Sequence, residues 1–224
     1  MSGDVPTIVV MAKECIPGRV KTRLHPPLTI EDAARVASAS LADTLDAVAA
    51  SGLPAVVCAQ GDVPVPAGMR TMPQVDGGLD ERIAAALDSC EGRVLLIGMD
   101  TPQVDAAMLR SIAEEWHDGI DAWFGPARDG GFWLLGIADP PADALGGRTR
   151  GDLVRGVPMS STETGRHQRR RLVDAGLRVR DLAPLTDIDD VASLRAVFAA
   201  VEGGSRLAAL VPSLPGALES GGGA

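Results

Sequence analysis

A chain of 224 residues, 46% apolar and 23% charged, has material for one α/β domain with a sizeable core and for two domains at most. Its net charge of −9 and pI near 4.8 argue against general nucleic-acid binding, which favours basic surfaces. With no apolar run of about 18 residues and no charged leader before a long apolar stretch, neither a membrane span nor export is expected, and the protein reads as cytoplasmic.

Val5 to Val10 is an apolar, β-branched run that reads as a first buried strand. The stretch Met11 to Leu24 follows it and gathers Lys13, Arg19, Lys21 and Arg23 in an otherwise acidic protein, while Pro17-Gly18 rules out a continuous helix. The reading is a cationic loop at a strand end, where ligands bind in open α/β sheets. Arg binds phosphate oxygens through a planar fork and Lys as a point charge, and Gly18 lets backbone N–H groups approach closely, so a phosphorylated small molecule is the expected ligand. The plainer reading is a solvated loop.

Thr29, with Asp32 three residues on, signals a helix start, and Ile30, Ala34, Ala37, Leu41, Leu45 and Val48 keep helical spacing up to Ser51-Gly52. Pro54 to Ala59 reads as a second buried strand, residues 61 to 78 as loop, and Leu79, Ile83, Leu87 and Cys90 as a second helix. Arg93 to Gly98 is the clearest strand in the chain, and it runs straight into Met99-Asp100-Thr101-Pro102. Leu109, Ile112 and Trp116 mark the next helix. Asp121 to Gly125 and Phe132 to Ile137 read as strands joined around Asp129-Gly130-Gly131. Ser160 and Glu163 have capping-box spacing before a helix carrying Arg166, Arg169, Arg170 and Arg171, which reads more readily as a solvated face than as a binding face. Leu177 to Leu182 is a last strand, and Val191, Leu194, Phe198 and Val201 a last helix. Residues 1–202 are thus read as a single domain, with 203–224 as a Gly/Pro/Ser-containing tail or docking strap. Strands alternating with helices predict a three-layer α/β/α sandwich with a mainly parallel sheet, Rossmann-like but without the G-x-G-x-x-G of dinucleotide sites.

Cys15, Cys58 and Cys90 show neither CxxC nor Cys/His zinc spacing, which suggests a reducing compartment. Cys15 lies among cations that would lower its thiol pKa. The three histidines stand in no arrangement with Ser and Asp that would support a serine nucleophile. Asp100 falls just beyond a buried strand, where a carboxylate can hold Mg²⁺ together with substrate phosphates and water; the plainer reading is a turn or capping aspartate.

MAKECIPGRVKTRL resembles the FAK-x-P-x-PG-x-x-KTRL signature of a bacterial glycosyltransferase-like family, the "transferase 1, radical-SAM/selenodomain-associated" family. The likeness recurs in GGLDERI, LLIGMDTP, GPARDGGFWLLG, MSSTET and TDIDDVASL, covering roughly residues 5 to 200. That family resembles the GT-A nucleotide-diphospho-sugar transferase superfamily, with 2-phospho-L-lactate guanylyltransferase a nearer relative by pattern. The resemblance implies a GT-A-like fold with one or two antiparallel strands, and a Mg²⁺ or Mn²⁺ site at Asp100 with Asp189 or Asp187. It also implies that Arg82 points to the phosphates or base, and that Asp129, Gly130 and Gly131 meet the sugar or acceptor. Asp129 and Lys21 are the residues placed in catalysis. Cys15 replaces a signature proline, Gly78 and Asp80 stand where the family has Asp then Gly, and Asp190-Val191 replaces a Thr-Pro.

Three functions follow as expectations. The first is metal-dependent transfer from a nucleotide-diphospho-sugar to a small acceptor. The second is nucleotidylyl transfer from an NTP to a phosphorylated acceptor, favoured by the number of cations in the loop. The third is a non-catalytic nucleotide-binding protein whose site has decayed. The base, the sugar, the acceptor and the oligomeric state, a homodimer included, are left open.

Overall fold

The computed structural model describes residues 5–117, 119–139, 146–201 and 203–217. Seven strands form one sheet: β1 (Thr7–Lys13), β2 (Ala55–Gln60), β3 (Arg70–Pro73), β4 (Val94–Gly98), β5 (Ala122–Pro126), β6 (Phe132–Ile137) and β7 (Val179–Asp181), in the order β3-β2-β1-β4-β6-β5-β7. Only β6 runs antiparallel to its neighbours, β4 and β5; the remaining pairs are parallel. The carboxyl ends of β1 to β4 and the β5–β6 turn therefore share one edge of the sheet.

Alternation along the buried strands divides the core in two. Ile8, Val10 and Ala12 of β1 pack with Leu95 and Ile97 beneath α1 (Ile30–Ser51) and α3 (Ala106–Glu114). Val9 and Met11 face the opposite side with Leu96, beneath α2 (Leu79–Asp88) and α4 (Thr164–Asp174). This is the expected three-layer sandwich with a mainly parallel, mixed sheet. A third cluster lies outside α1, where Val36 and Ala39 meet Leu194 and Val197 of α5 (Val191–Ala200) and Leu207 of α6 (Arg206–Leu210). Val211, Leu214 and Ala217 extend it, so residues 205–217 of the tail-or-strap segment pack over α1, while 218–224 lie outside the described residues.

Helix boundaries follow local chemistry. Thr29 accepts from the Asp32 N–H at 3.0 Å to start α1, and Gly52 ends it with φ of 73°, a left-handed conformation that glycine adopts without a side-chain clash. Asp190 and Ser193 form a reciprocal capping box at the start of α5. Asp190→Ala is expected to destabilise the fold by about 1 kcal/mol, read as a lower urea midpoint with an unchanged slope.

Three sequence readings are corrected here. Strand β1 extends to Lys13, so the loop begins at Glu14 and Lys13 stands on the rigid sheet. Residues 70–73, read as loop, form the edge strand β3; RTMP is short, largely exposed and ends in proline, a composition that hides an edge strand from apolar-run analysis. Helix α4 starts at Thr164 rather than at Ser160, whose φ is 57°. Glu163 makes no capping bond and instead pairs with Arg166.

Candidate active site

A cleft of about 430 Å³ opens along the carboxyl edge of the sheet. Its floor follows the strand order: Gln74 just after β3, Gln60 at the end of β2, Lys13 at the end of β1, Asp100 after β4, and Asp129 and Gly131 in the β5–β6 turn. One end is therefore amide and guanidinium, the middle holds an ammonium, and the other end carries carboxylates.

At the first end, Gln74 Nε2 donates to the carbonyls of Ala12 (2.8 Å) and Cys58 (3.0 Å), which fixes its amide plane against β1 and β2. Arg82, on α2, donates from Nη1 to Gln60 Oε1 (2.9 Å) and from Nε to the Gly77 carbonyl (3.0 Å), and it lines the cleft. Sequence reasoning found Arg82 but missed both glutamines. The carboxyl-edge rule would have found Gln60, the last residue of β2; Gln74 was hidden because β3 was not recognised.

Asp100 leaves β4 on a turn that is held from two sides. The buried Ser40 hydroxyl of α1 donates to the Met99 carbonyl (2.8 Å), and the Ile188 N–H donates to the Asp100 carbonyl (2.9 Å). The second contact explains how Asp187 reaches the same place. Beyond β7 the chain runs alongside β5, where Arg128 N–H donates to the Leu185 carbonyl, and then crosses to Asp100 with Ile188 fully buried. Asp187 lines the cleft, whereas Asp189 is not among its lining residues and pairs with Arg23; Asp190 caps α5. Burial pushes the Asp187 carboxyl up to about 6, with Asp129 and Asp100 adding to the effect and Lys21 opposing it.

The basic loop is arranged differently from a phosphate cradle. Gly18 supplies the turn with φ of 75°, and Arg19 is exposed. Lys21 Nζ pairs with Asp100 Oδ2 at 2.8 Å and donates to the Ile188 carbonyl. Of Lys13, Arg19, Lys21 and Arg23, only Lys13, at the end of β1, lines the cleft. The expectation for Cys15 is also corrected: it is half-buried, and burial together with Asp100 raises its thiol pKa against the opposing pull of Lys13 and Lys21.

Asp129 Oδ1 accepts from the Gly131 N–H (2.7 Å), so the hairpin reading holds. Gly130 has φ of 95°, and a Cβ there would lie 1.9 Å from the Thr162 carbonyl oxygen. Its own carbonyl accepts from Gly165 N–H at 2.7 Å. The glycine at 130 thus serves the docking of this turn onto the 159–164 segment, while Gly131 and Asp129 face the cleft. The α4 arginines are engaged elsewhere: Arg169 with Asp181, Arg170 with Asp174, and Arg171 with the Asp152 and Arg155 carbonyls.

The donor set fits a divalent cation. Among the described residues no three His, Cys, Asp or Glu side chains gather at ligand spacing, so those residues build no closed cage. Asp100 and Asp187 offer hard oxygens at a corner where burial, Asp129 and Asp100 raise the Asp187 carboxyl, which matches the one or two carboxylates of Mg²⁺ or Mn²⁺ sites completed by phosphates and water.

Fold and cleft together define a Rossmann-like α/β domain, a mostly parallel mixed sheet with a cleft along its carboxyl edge. Residues 33–161 match the family described as "Uncharacterized protein conserved in bacteria (DUF2064)", and the chain belongs to that family. Among solved structures, a candidate nucleotide-diphospho-sugar transferase from Desulfovibrio desulfuricans G20 superposes with a TM-score of 0.79 at 23% identity, over 92% of this chain and 94% of its own. Rv0371C from Mycobacterium tuberculosis H37Rv, solved with manganese, superposes with a TM-score of 0.50 at 19% identity, over 88% of this chain and 100% of its own. At these identities the likeness establishes the fold. No curated protein matches the chain. Among the described residues no helix is long and apolar enough to cross a membrane.

Proposed function

We propose that this protein is a metal-dependent transferase that takes a nucleotide-diphospho-sugar as donor. The observation that carries the proposal is the polarity of the cleft floor. Amides and Arg82 stand over β3 and β2, Lys13 over β1, and Asp100 with Asp187 beyond β4. A nucleoside laid over the first end places its diphosphate at Lys13 and the carboxylates, and its sugar against Asp129 and Gly131. Mg²⁺ or Mn²⁺ held by Asp100 and Asp187 would neutralise charge developing on the departing diphosphate. The manganese held by the Mycobacterium tuberculosis relative supports this choice of ion. Lys13, fixed at the strand end, orients the phosphates as a point charge. Asp129 accepts a hydrogen bond from an acceptor hydroxyl and takes its proton as the new bond forms.

Nucleotidylyl transfer is the rival, and it drew its strength from the number of loop cations. With Lys21 and Arg23 paired to aspartates and, of the four cations, only Lys13 lining the cleft, the positive charge suits a diphosphate better than a triphosphate. Products distinguish the two: nucleoside diphosphate appears from the sugar donor, pyrophosphate from an NTP. A calorimetric panel of UDP-, GDP- and ADP-linked ligands, each with Mg²⁺, Mn²⁺ or EDTA, comes first. Absence of binding under every condition would favour the decayed-site reading. Within the proposal, Arg82→Ala is expected to weaken donor binding by roughly 1.5–3 kcal/mol, the range for hydrogen bonds to charged groups, without lowering the melting temperature by more than a few degrees.

A further inference from the structure

We propose that the Lys21 ammonium is a tethered counter-ion that occupies the divalent-cation seat while no metal is bound, and that it gives up Asp100 when the metal arrives. The inference rests on the metal-dependent reading above and assigns Lys21 a place in it other than phosphate binding. Lys21 is therefore a positioning residue.

Three observations lead to it. The Lys21 side chain is only 8% exposed, against 37% for Asp100, and it reaches Asp100 Oδ2 at 2.8 Å without lining the cleft. Its contact with Asp100 is therefore made by a largely buried side chain that is not part of the cleft lining. Second, the same ammonium donates to the Ile188 carbonyl, so one cation joins the two chain segments that carry Asp100 and Asp187. Third, Lys21 has φ of 47°, left-handed for a non-glycine residue, a conformation that persists only where the surroundings over-determine it. Both of its bonds run to the carboxylate corner.

The physical consequence is competition. A carboxylate oxygen in contact with an ammonium has one lone-pair direction engaged and a positive charge beside it, so an incoming divalent ion is repelled and loses a ligand position. An ammonium has three donors, so on releasing Asp100 it keeps the Ile188 carbonyl and stays close to the seat. Without metal it only partly offsets the repulsion that Asp129 and Asp100 exert on Asp187, whose carboxyl stays raised. With metal that task passes to the ion.

The test is nucleotide-free Mn²⁺ binding, read by electron paramagnetic resonance of the free ion, on wild type, Lys21→Met, Lys21→Gln, Lys21→Arg and Asp100→Asn. Lys21→Met and Lys21→Gln are expected to bind Mn²⁺ about tenfold more tightly than wild type, and Lys21→Arg, which keeps the charge, within about threefold of it. Melting temperatures supply a second readout. The neutral variants should melt lower than wild type in EDTA, and saturating Mn²⁺ should narrow the gap. Should Lys21→Met fail to fold, Lys21→Gln carries the test, because it removes the charge while keeping a polar hydrogen-bond donor on the side chain. If the neutral variants bind Mn²⁺ no more tightly than wild type while Asp100→Asn loses it, Lys21 is a structural anchor or a phosphate ligand and the inference is overturned, with the metal site intact. If Asp100→Asn binds Mn²⁺ as wild type does, the metal reading fails and takes this inference with it.

Discussion

Asp100→Asn is expected to lower transfer by about a hundredfold or more, the scale of losing one electrostatic transition-state contact, and to remove the gain in nucleotide affinity that Mg²⁺ or Mn²⁺ is expected to give the wild type. The substitution keeps the shape of the side chain and removes its charge. The backbone around it should survive, because the Asp100 turn is held through main-chain atoms: Ser40 to the Met99 carbonyl and Ile188 N–H to the Asp100 carbonyl. Loss of function without unfolding is therefore expected, with near-wild-type circular dichroism and a small change in melting temperature from the lost Lys21 pairing. In the wild type, Asp100 and Asp187 repel a diphosphate until a cation intervenes, so EDTA should weaken donor binding. In Asp100→Asn the affinities with metal and with EDTA should converge. Calorimetry of both proteins against the same nucleotide-sugar panel reads the difference. Metal-independent affinity in the wild type, unaltered in the mutant, would leave Asp100 as a turn residue and favour the decayed site.

Periodicity placed most of the fold correctly because the interior strands and α1 are governed by burial alone. Ile8 to Ala12 and Val94 to Ile97 are buried on both faces and read as uninterrupted apolar runs, and α1 presents its apolar stripe with a capping threonine at one end and glycine at the other. The errors fall where burial is not the organising force. RTMP pairs with β2 through backbone bonds while its side chains stay largely exposed, so its composition carries no strand signal, and Gln74 beyond it was missed with it. The Ser160–Glu163 spacing imitates a capping box, but Thr164 takes the local bonds instead, accepting from Ser161 N–H and donating to the Pro158 carbonyl.

The candidate site was legible as a set of residue types and less so as a geometry. The sequence places Lys13 at the end of β1, three more cations in the loop after it, and three aspartates before α5, and the loop and the aspartate segment do meet. Which way each side chain turns depends on facts with no sequence signature. Lys21 is left-handed, and its ammonium meets Asp100 rather than lining the cleft. Asp189 is drawn to Arg23, which leaves Asp187, two residues earlier, to line the cleft. The resemblance points to Asp189 for the metal; the chain path from Leu185 to Ile188 brings Asp187 rather than Asp189 to the cleft lining.

Asp187→Asn is expected to make the metal-free protein more stable at neutral pH while weakening its response to metal. The wild-type carboxyl is raised to about 6, first by burial and then by Asp129 and Asp100, so between its ordinary value of 3.8 and about 6 the folded state binds more protons than the unfolded state. Stability from this group therefore falls as pH rises through that window and reaches its lowest level above it. Charge at this position costs the fold on the order of 1–2 kcal/mol near neutral pH, after allowing for screening by water at the cleft mouth. An amide of the same shape removes that cost. Urea denaturation in EDTA should show Asp187→Asn ahead of wild type at about pH 7.5, with the difference shrinking towards about pH 4.5, where the wild-type carboxyl is protonated in the fold. Saturating Mn²⁺ should reverse the ranking, because the ion stabilises the wild type through two carboxylates and the mutant through one. A mutant less stable than wild type in EDTA at about pH 7.5 would mean that the Asp187 carboxylate is already compensated in the metal-free fold, with Lys21 as its partner, and that the corner has no deficit of positive charge for a metal to fill.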